Sequence, residues 1–427
     1  MGTAWNLVAR NRSYRLLLTA GLISLSGDWI FSIGMMFSVF AVTGSALAAG
    51  AIVFTALLPH FLLGSVAGVF ADRWDRRTTM VAANVSLAVS LLPVLFVHGT
   101  GQLWIIYLTV AAQNSIAQLF TSAEAAFVPA VVPREELVVA NALNGQNNQV
   151  ARLVGSALGG VIAVAGGIMA VTVVNVASYA VAAALIAWIP AATGARRDEG
   201  AEPRTAGRAR RTWREWADGV RLCGRDADLS ALLGYRVLSN FGEGVLSALF
   251  APFVIGVIGA SGAQFGAVNG IQAVGGIVGG IAIATFAARA KPVELLGYGA
   301  MVFGVLALLF ALYPLALPGV WPAFALLAVV GLPIAALNAG FYTLLQLRAP
   351  EDYRGRVFGA ISAAAAAAML LGTVLGSTLA TTVGVLPLIA VQGVIHIVAG
   401  PLVLARLRRI ARHQAAAVPV PTTAGPP

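Results

Sequence analysis

Long apolar runs broken by short polar stretches recur along the whole of this chain. A segment that crosses a bilayer needs about 20 mostly apolar residues. Runs of that kind predict helices near 14–40, 47–71, 78–98, 103–130, 138–165 and 168–190. They resume near 229–257, 263–288, 293–313, 320–347, 356–381 and 384–405. Residues 191–228 separate the two sets as a polar linker. The first part of the linker is rich in Arg, Ala and Gly and has too little apolar surface to order itself. In its second part, Trp213-Arg-Glu-Trp216 to Val220, apolar residues share one side of a helix among charges. That pattern suits either an amphipathic helix on the membrane surface or a helix packed against its neighbours. Residues 407–427 are expected to form an unstructured tail.

The two sets of six echo each other. Gly27-Asp28 matches Gly242-Glu243, and Ser32 and Gly44 match Ser247 and Gly259, all at an offset of 215 residues. Val154-Gly155-x-x-Leu158-Gly159 matches Leu371-Gly372-x-x-Leu375-Gly376 at an offset of 217. A constant offset is the mark of a duplicated unit. The expected fold class is therefore an all-α membrane protein of twelve transmembrane helices in two pseudo-symmetric six-helix bundles, residues 1–190 and 229–406.

Composition agrees. Only 10% of the residues are charged, 59% are hydrophobic, and the mean hydropathy is +0.86. A soluble domain averages about 25% charged residues. The 47 glycines and 19 prolines suit tightly packed, locally irregular membrane helices. The single cysteine, Cys223, excludes an intrachain disulfide and offers no metal-site spacing. No cleavable signal peptide is expected, because the polar start at Arg10 to Arg15 runs straight into a full-length span.

A net charge of +10 raises the question of nucleic acid, and the positions of the charges answer it. Of the 27 Lys and Arg, 25 lie in the termini or in alternate loops: around Arg12, Arg76, Arg134, Arg196 to Arg225, Lys291, Arg354 and Arg408. The intervening loops near 43, 100, 166, 260, 317 and 383 have none. Cationic loops stay on the cytoplasmic side, so both termini are expected inside a bacterial inner membrane, with lipid and not nucleic acid as the partner.

Five charges fall inside predicted spans: Asp28, Glu124, Arg152, Arg236 and Glu243. One at the bilayer centre costs about 2.5–3.5 kcal/mol on insertion scales, so it faces a cavity or a partner. Asp28 falls near mid-depth of the first helix at a rise of about 1.5 Å per residue. It reads either as a structural partner of Arg152 or as a group that carries protons or contacts substrate. The second is favoured, and Glu243 is its repeat-mate. Arg152 belongs to a stripe of Asn141, Asn144, Asn148 and Ser156 on one helix face, which implies a wetted interior. Gln113 and Asn114 are candidate cavity groups. Glu124 and Arg236, nearer the predicted helix ends, suit snorkelling or gating salt bridges at least as well as substrate contact.

The most specific motif is Gly64-Ser-Val-Ala-Gly68-Val-Phe-Ala-Asp72-Arg73-Trp-Asp75-Arg76-Arg77. Small residues four apart let helices approach closely, and a tight acid-plus-arginine cluster follows. This resembles the loop between the second and third helices of the major facilitator superfamily of secondary transporters. In that family the acid, here Asp72, and the arginines, here Arg73, Arg76 and Arg77, brace the two halves in the outward-facing state. Gly155-Ser156-x-x-Gly159-Gly160 is similar to the fifth-helix signature of drug antiporters, with Ser156 where those have proline. Ser26-Gly27-Asp28, the run from Pro129 to Asn141 and Pro350 to Val357 resemble the branch of macrolide efflux proteins and the enterobactin exporter.

The resemblance implies a monomeric secondary transporter that exports an amphiphilic small molecule in exchange for protons, with no cofactor and no metal. Import of a nutrient or metabolite is the alternative on the same fold, followed by a membrane receptor without transport. The four His and one Cys are not clustered as an enzyme would require. No phosphate-binding glycine loop with lysine supports ATP-driven transport, and no filter loop supports a channel.

Overall fold

The computed structural model describes residues 7–71, 75–133, 136–190, 221–286, 291–350 and 353–416. Among them the chain is helical: α1 Arg12–Thr43, α2 Ala46–Ala71, α3 Arg76–Leu91, α4 Leu103–Val131 and α5 Leu137–Ala187. After the linker come α6 Ala227–Ala251, α7 Gly262–Phe286, α8 Pro292–Leu312, α9 Trp321–Arg348, α10 Arg354–Val383 and α11 Val385–Ala416. Among the described residues, ten helices are long and apolar enough to cross a membrane. The apolar stretch of α2, Ala46–Pro59, is shorter. In hydrocarbon no water can satisfy a backbone N–H or C=O, so helix is the state such a sequence must take. Some helix starts carry polar caps, whereas α4, α5, α8, α9 and α10 have no side-chain cap. The side chains of Asn11, Asp75 and Asp226 accept the backbone N–H of Tyr14, Thr78 and Leu229.

α5 is 51 residues long and breaks at Gly167, whose φ of 62° and ψ of −157° only glycine adopts without strain. Its two arms meet the predicted helices near 138–165 and 168–190. The linker residues Trp213 to Val220 and the tail residues 417–427 lie outside the described residues, whereas residues 407–416, expected to be unstructured, continue α11 as helix.

Side chains divide as a membrane solvent demands. Large apolar residues such as Val89, Leu108, Val173, Leu309 and Leu402 stand exposed on the outer surface. Small residues sit where helices meet. A Cβ on Gly155 would lie 2.5 Å from the carbonyl oxygen of Ser26, and one on Gly159 would lie 2.8 Å from that of Ile30. In the second half Gly372 meets the carbonyl of Phe241, and Gly376 meets Val245. Ser26 and Phe241, like Ile30 and Val245, stand 215 residues apart, so the sequence repeat is also a packing repeat.

The halves meet along an antiparallel seam between α5 and α7. Gln149 lies against Gly276, Leu153 against Gly270, Ser156 against Gly266, and Gly160 against both Gly262 and Gly266. Phe37 and Phe265 close one end at a ring separation of 6.3 Å. Beside them Gly50 of α2 abuts Ser377 of α10.

Replacing Gly155 or Gly372 by Val forces a side chain into a neighbouring backbone. Thermal unfolding of the purified protein should show a loss of about 1–3 kcal/mol for either. Gly145, with open space around it, should accept Ala with no loss.

Candidate functional site

Under the seam and between the halves lies a cavity of about 630 Å³. α1, α2 and α5 contribute to it from the first half, and α6 to α9 and α11 from the second. Much of its wall is apolar and aromatic, with Trp29, Ile33, Met36, Phe250, Phe303 and Phe310. A polar group converges on one region: Arg152, Arg236, Glu243, Gln272, Gln392 and His396.

Arg152 donates to Oε1 of Gln272 across the seam, and its guanidinium lies 5.1 Å from the centre of the Trp29 ring. Its Nε is buried without a hydrogen-bond partner. One turn on, Ser156 donates to Oδ1 of Asn269 at 3.3 Å. Arg236 stands over Phe341 at 5.2 Å and Tyr342 at 5.9 Å, a cation–π arrangement that fixes the charge without a carboxylate. Glu243 accepts from Nε2 of Gln392 at 2.7 Å, and the charges of Arg152 and Arg236 both act on it.

His396 lies one turn beyond Gln392. Its Nδ1 is 2.9 Å from the Gln392 carbonyl and its Nε2 is 2.9 Å from Oγ of Ser239. The edges of Tyr235 and Phe303 hold the ring in place.

Asp28 is elsewhere. It is not part of the cavity wall; its carboxylate accepts from the Tyr179 hydroxyl on the second arm of α5. Asn175 sits against it. The arrangement repeats that around Glu243. Asn175 and Tyr179 become Gln392 and His396 at an offset of 217, and Ser24 becomes Ser239 at 215. Asp28 on α1 thus meets the second arm of α5, and Glu243 on α6 meets α11, at matching places in the repeat. Only the second opens on the cavity.

The remaining candidates are spread out. Asn148 is exposed on the face of α5 that carries Arg152. Gln113 and Asn114 of α4 are off the cavity wall: Gln113 is buried with Nε2 unbonded, and Asn114 donates to the Val110 carbonyl at 2.9 Å. Glu124 lies beside Tyr14, whose hydroxyl donates to the Ala140 carbonyl at 2.8 Å. Asp72 and Arg73 lie outside the described residues, as do the surroundings of Gly64 and Gly68 in α2. Arg77 donates to the carbonyls of Ile186 and Ala187, so within its own half it caps the end of α5. Asp75 caps α3 through the backbone N–H and the hydroxyl of Thr78, each at 2.8 Å. The bond from the Thr78 N–H leads in holding its carboxyl below the ordinary range. Among the described residues no group of three His, Cys, Asp or Glu is placed to hold a metal ion.

A central cavity between two repeat-related halves is a transporter's architecture. The family model described as transmembrane secretion effector matches residues 3–424. The chain belongs to the major facilitator superfamily. Among its relatives in this superfamily is the uncharacterised MFS-type transporter YfiS of Bacillus subtilis strain 168. The two are 24% identical over 93% of this chain and 94% of YfiS. Macrolide efflux protein A of Streptococcus pyogenes is 22% identical over 85% of this chain and 88% of its own length. The fold matches the crystal structure of a bacterial homologue of the iron transporter ferroportin in an inward-facing state. That match has a TM-score of 0.72 at 17% identity, over 92% of this chain and 98% of the other. Family and fold are those of a membrane transporter.

Tyr179→Phe removes the donor to a buried carboxylate and should cost about 1–3 kcal/mol in thermal unfolding. In an Asp28→Asn background the loss should shrink, because interacting groups do not add; equal losses would place the hydroxyl's effect elsewhere. Asp75→Ala should cost about 0.5–2 kcal/mol as a lost helix cap. Since the Asp75 carboxyl is held below its ordinary value of 3.8, its contribution is present above that pH and is lost on further acidification. The wild-type and Asp75→Ala melting points should therefore converge at low pH.

Proposed function

We propose that this major facilitator protein exports an amphiphilic small molecule, a drug, antibiotic or siderophore, by proton-coupled alternating access. The observation that carries the reading is the cavity: aromatic and aliphatic walls, with a few convergent polar groups from both halves. Such a lining fits a molecule with a large apolar body and a polar end. The family's description as secretion effectors and the kinship with a macrolide efflux protein support the outward direction.

In this reading the chain is a monomer of twelve spans in two six-helix bundles. The apolar stretch Val139–Ala187 has 49 residues. At about 1.5 Å each that is about 74 Å, more than twice a hydrocarbon core of about 30 Å. Two crossings joined at Gly167 satisfy that length. The alternation of cationic loops puts both termini in the cytoplasm. The end closed by Phe37, Gly50 and Gly262 is then the outer one, and the state is inward-facing.

Asp28 and Glu243 are the two carboxylates that link cargo to protons. A carboxylate that gains and loses charge inside the protein biases an equilibrium between two conformations. Gly64 and Gly68, with Asp72, Arg73, Arg76 and Arg77, form the latch of the opposite state, and the small-residue seam of α5 and α7 is the surface that parts.

The test is accumulation of a labelled amphiphile panel (macrolides, dyes, a catecholate siderophore) in efflux-deficient bacteria. Expression should lower accumulation of at least one compound, and a protonophore should abolish the effect. In proteoliposomes Asp28→Asn and Glu243→Gln should each cut pH-gradient-driven efflux at least about tenfold, the scale of losing one charge-assisted interaction. Raised accumulation on expression would reverse the direction to import, and unchanged efflux in Asp28→Asn would remove that residue from coupling.

A further inference from the structure

We propose that the cavity takes an amphiphile with an anionic head, a carboxylate or sulfonate, held between the guanidiniums of Arg152 and Arg236. This rests on the transport reading above and adds to it the charge of the cargo.

The chain keeps its cations out of the apolar runs with two exceptions. Of 27 Lys and Arg, 25 lie in the termini or in alternate loops, and the other two are Arg152 and Arg236. Both line the same cavity, one from each half. Two such residues in one place answer a need, since each is costly to bury.

Among the described residues neither arginine is bonded to a carboxylate. Among the described residues, ion pairs join Arg348 to Asp228 and Arg408 to Glu294, and none involves Arg152 or Arg236. Arg152 is held by Gln272 and the Trp29 ring, and its Nε is buried and unbonded. Arg236 is held by two aromatic faces. A guanidinium fixed by its flat face keeps its N–H edge for a ligand, and that edge matches carboxylate-like oxygens.

The charge sum points the same way. Two guanidiniums face one carboxylate, Glu243, and Gln392 already occupies one of its oxygens. With Glu243 ionised and His396 neutral the lining carries a net charge of one positive unit. An anion entering this cavity gains from both arginines, whereas a cation meets the excess. The aromatic wall of Trp29, Phe250, Phe303 and Phe310 receives the apolar body.

Three probes with one apolar body test this: 1-pyrenebutanoate, 1-pyrenebutanol and 1-pyrenebutylammonium. Each is titrated against the full-length chain in lipid nanodiscs, with empty nanodiscs as the blank. The anion should bind saturably and at least about tenfold tighter than the cation. Arg152→Gln and Arg236→Gln should each weaken the anion by about tenfold and strengthen the cation. Glu243→Gln should do the reverse, tightening the anion and weakening the cation. Responses of opposite sign separate charge from damage, since a collapsed cavity loses all three probes.

A cation that binds tighter than the anion overturns the anionic head, as do arginine variants with undiminished anion affinity. Either result leaves transport of an amphiphile standing. Absence of saturable binding by every probe in the wild-type chain overturns the cavity reading, and the anionic head with it.

Discussion

Water, which elsewhere offsets the cost of a charge or an unpaired peptide group, is missing from the hydrocarbon layer. A side chain charged at its centre costs about 2.5–3.5 kcal/mol even on the mildest scales. From that constraint follow the all-helical backbone, the cations gathered at termini and alternate loops, and the apolar side chains turned outward. With lipid as apolar as leucine, helices gain nothing from hiding leucine from it and must hold together by close backbone contact. Gly155 and Gly159 against α1, their counterparts Gly372 and Gly376 against α6, and Gly160 against Gly262 supply that contact. The same constraint makes every intramembrane charge informative. Arg152, Arg236 and Glu243 share one cavity, and Asp28 is enclosed by Tyr179 and Asn175.

Much of this was legible in the residue order. Hydropathy located the helices because bilayer thickness imposes a length, and the offsets of 215 and 217 located the duplication. The structure extends that register to pairs that composition hides. Asn175 and Gln392 differ by one methylene, and Tyr179 and His396 share only a ring and a polar tip, so neither pair stands out between distant segments. His396 reads in isolation as a packing residue. Its significance comes from the fold, which sets it beside Ser239 and over the cavity.

The partner of Asp28 was not legible at all. The order of residues made Arg152 the nearest plausible counter-charge, since both lie at mid-span. Which face of α5 meets α1 is decided by Gly155 and Gly159, and that choice turns Arg152 toward α7 and Gln272. The carboxylate is left to the second arm of α5, which returns only because the chain breaks at Gly167. A contact between residues 28 and 179 depends on a fold-back, and no local pattern encodes it.

The unequal pair of carboxylates bears on how cargo and protons are linked. Coupling between two ligands is reciprocal. On the anion reading, a proton on Glu243 removes the charge that competes with the head group, so proton and anion favour each other there. Ligands that favour each other travel together, and Glu243 acting alone would make a symporter. Export of an anion therefore requires Glu243 to stay charged in the loaded state. The membrane potential then drives the anion outward with about 2.3 kcal/mol per charge per 100 mV. Alternatively, a second carboxylate carries the opposite linkage. Asp28 has the placement for that role. A proton there alters the joint between α1 and the second arm of α5 and leaves the charge of the cavity unchanged. It would act on the balance between conformations and not on the ligand. One duplicated site would thus serve two ends: the copy exposed to the cavity reads the cargo, and the enclosed copy sets which way the cavity opens.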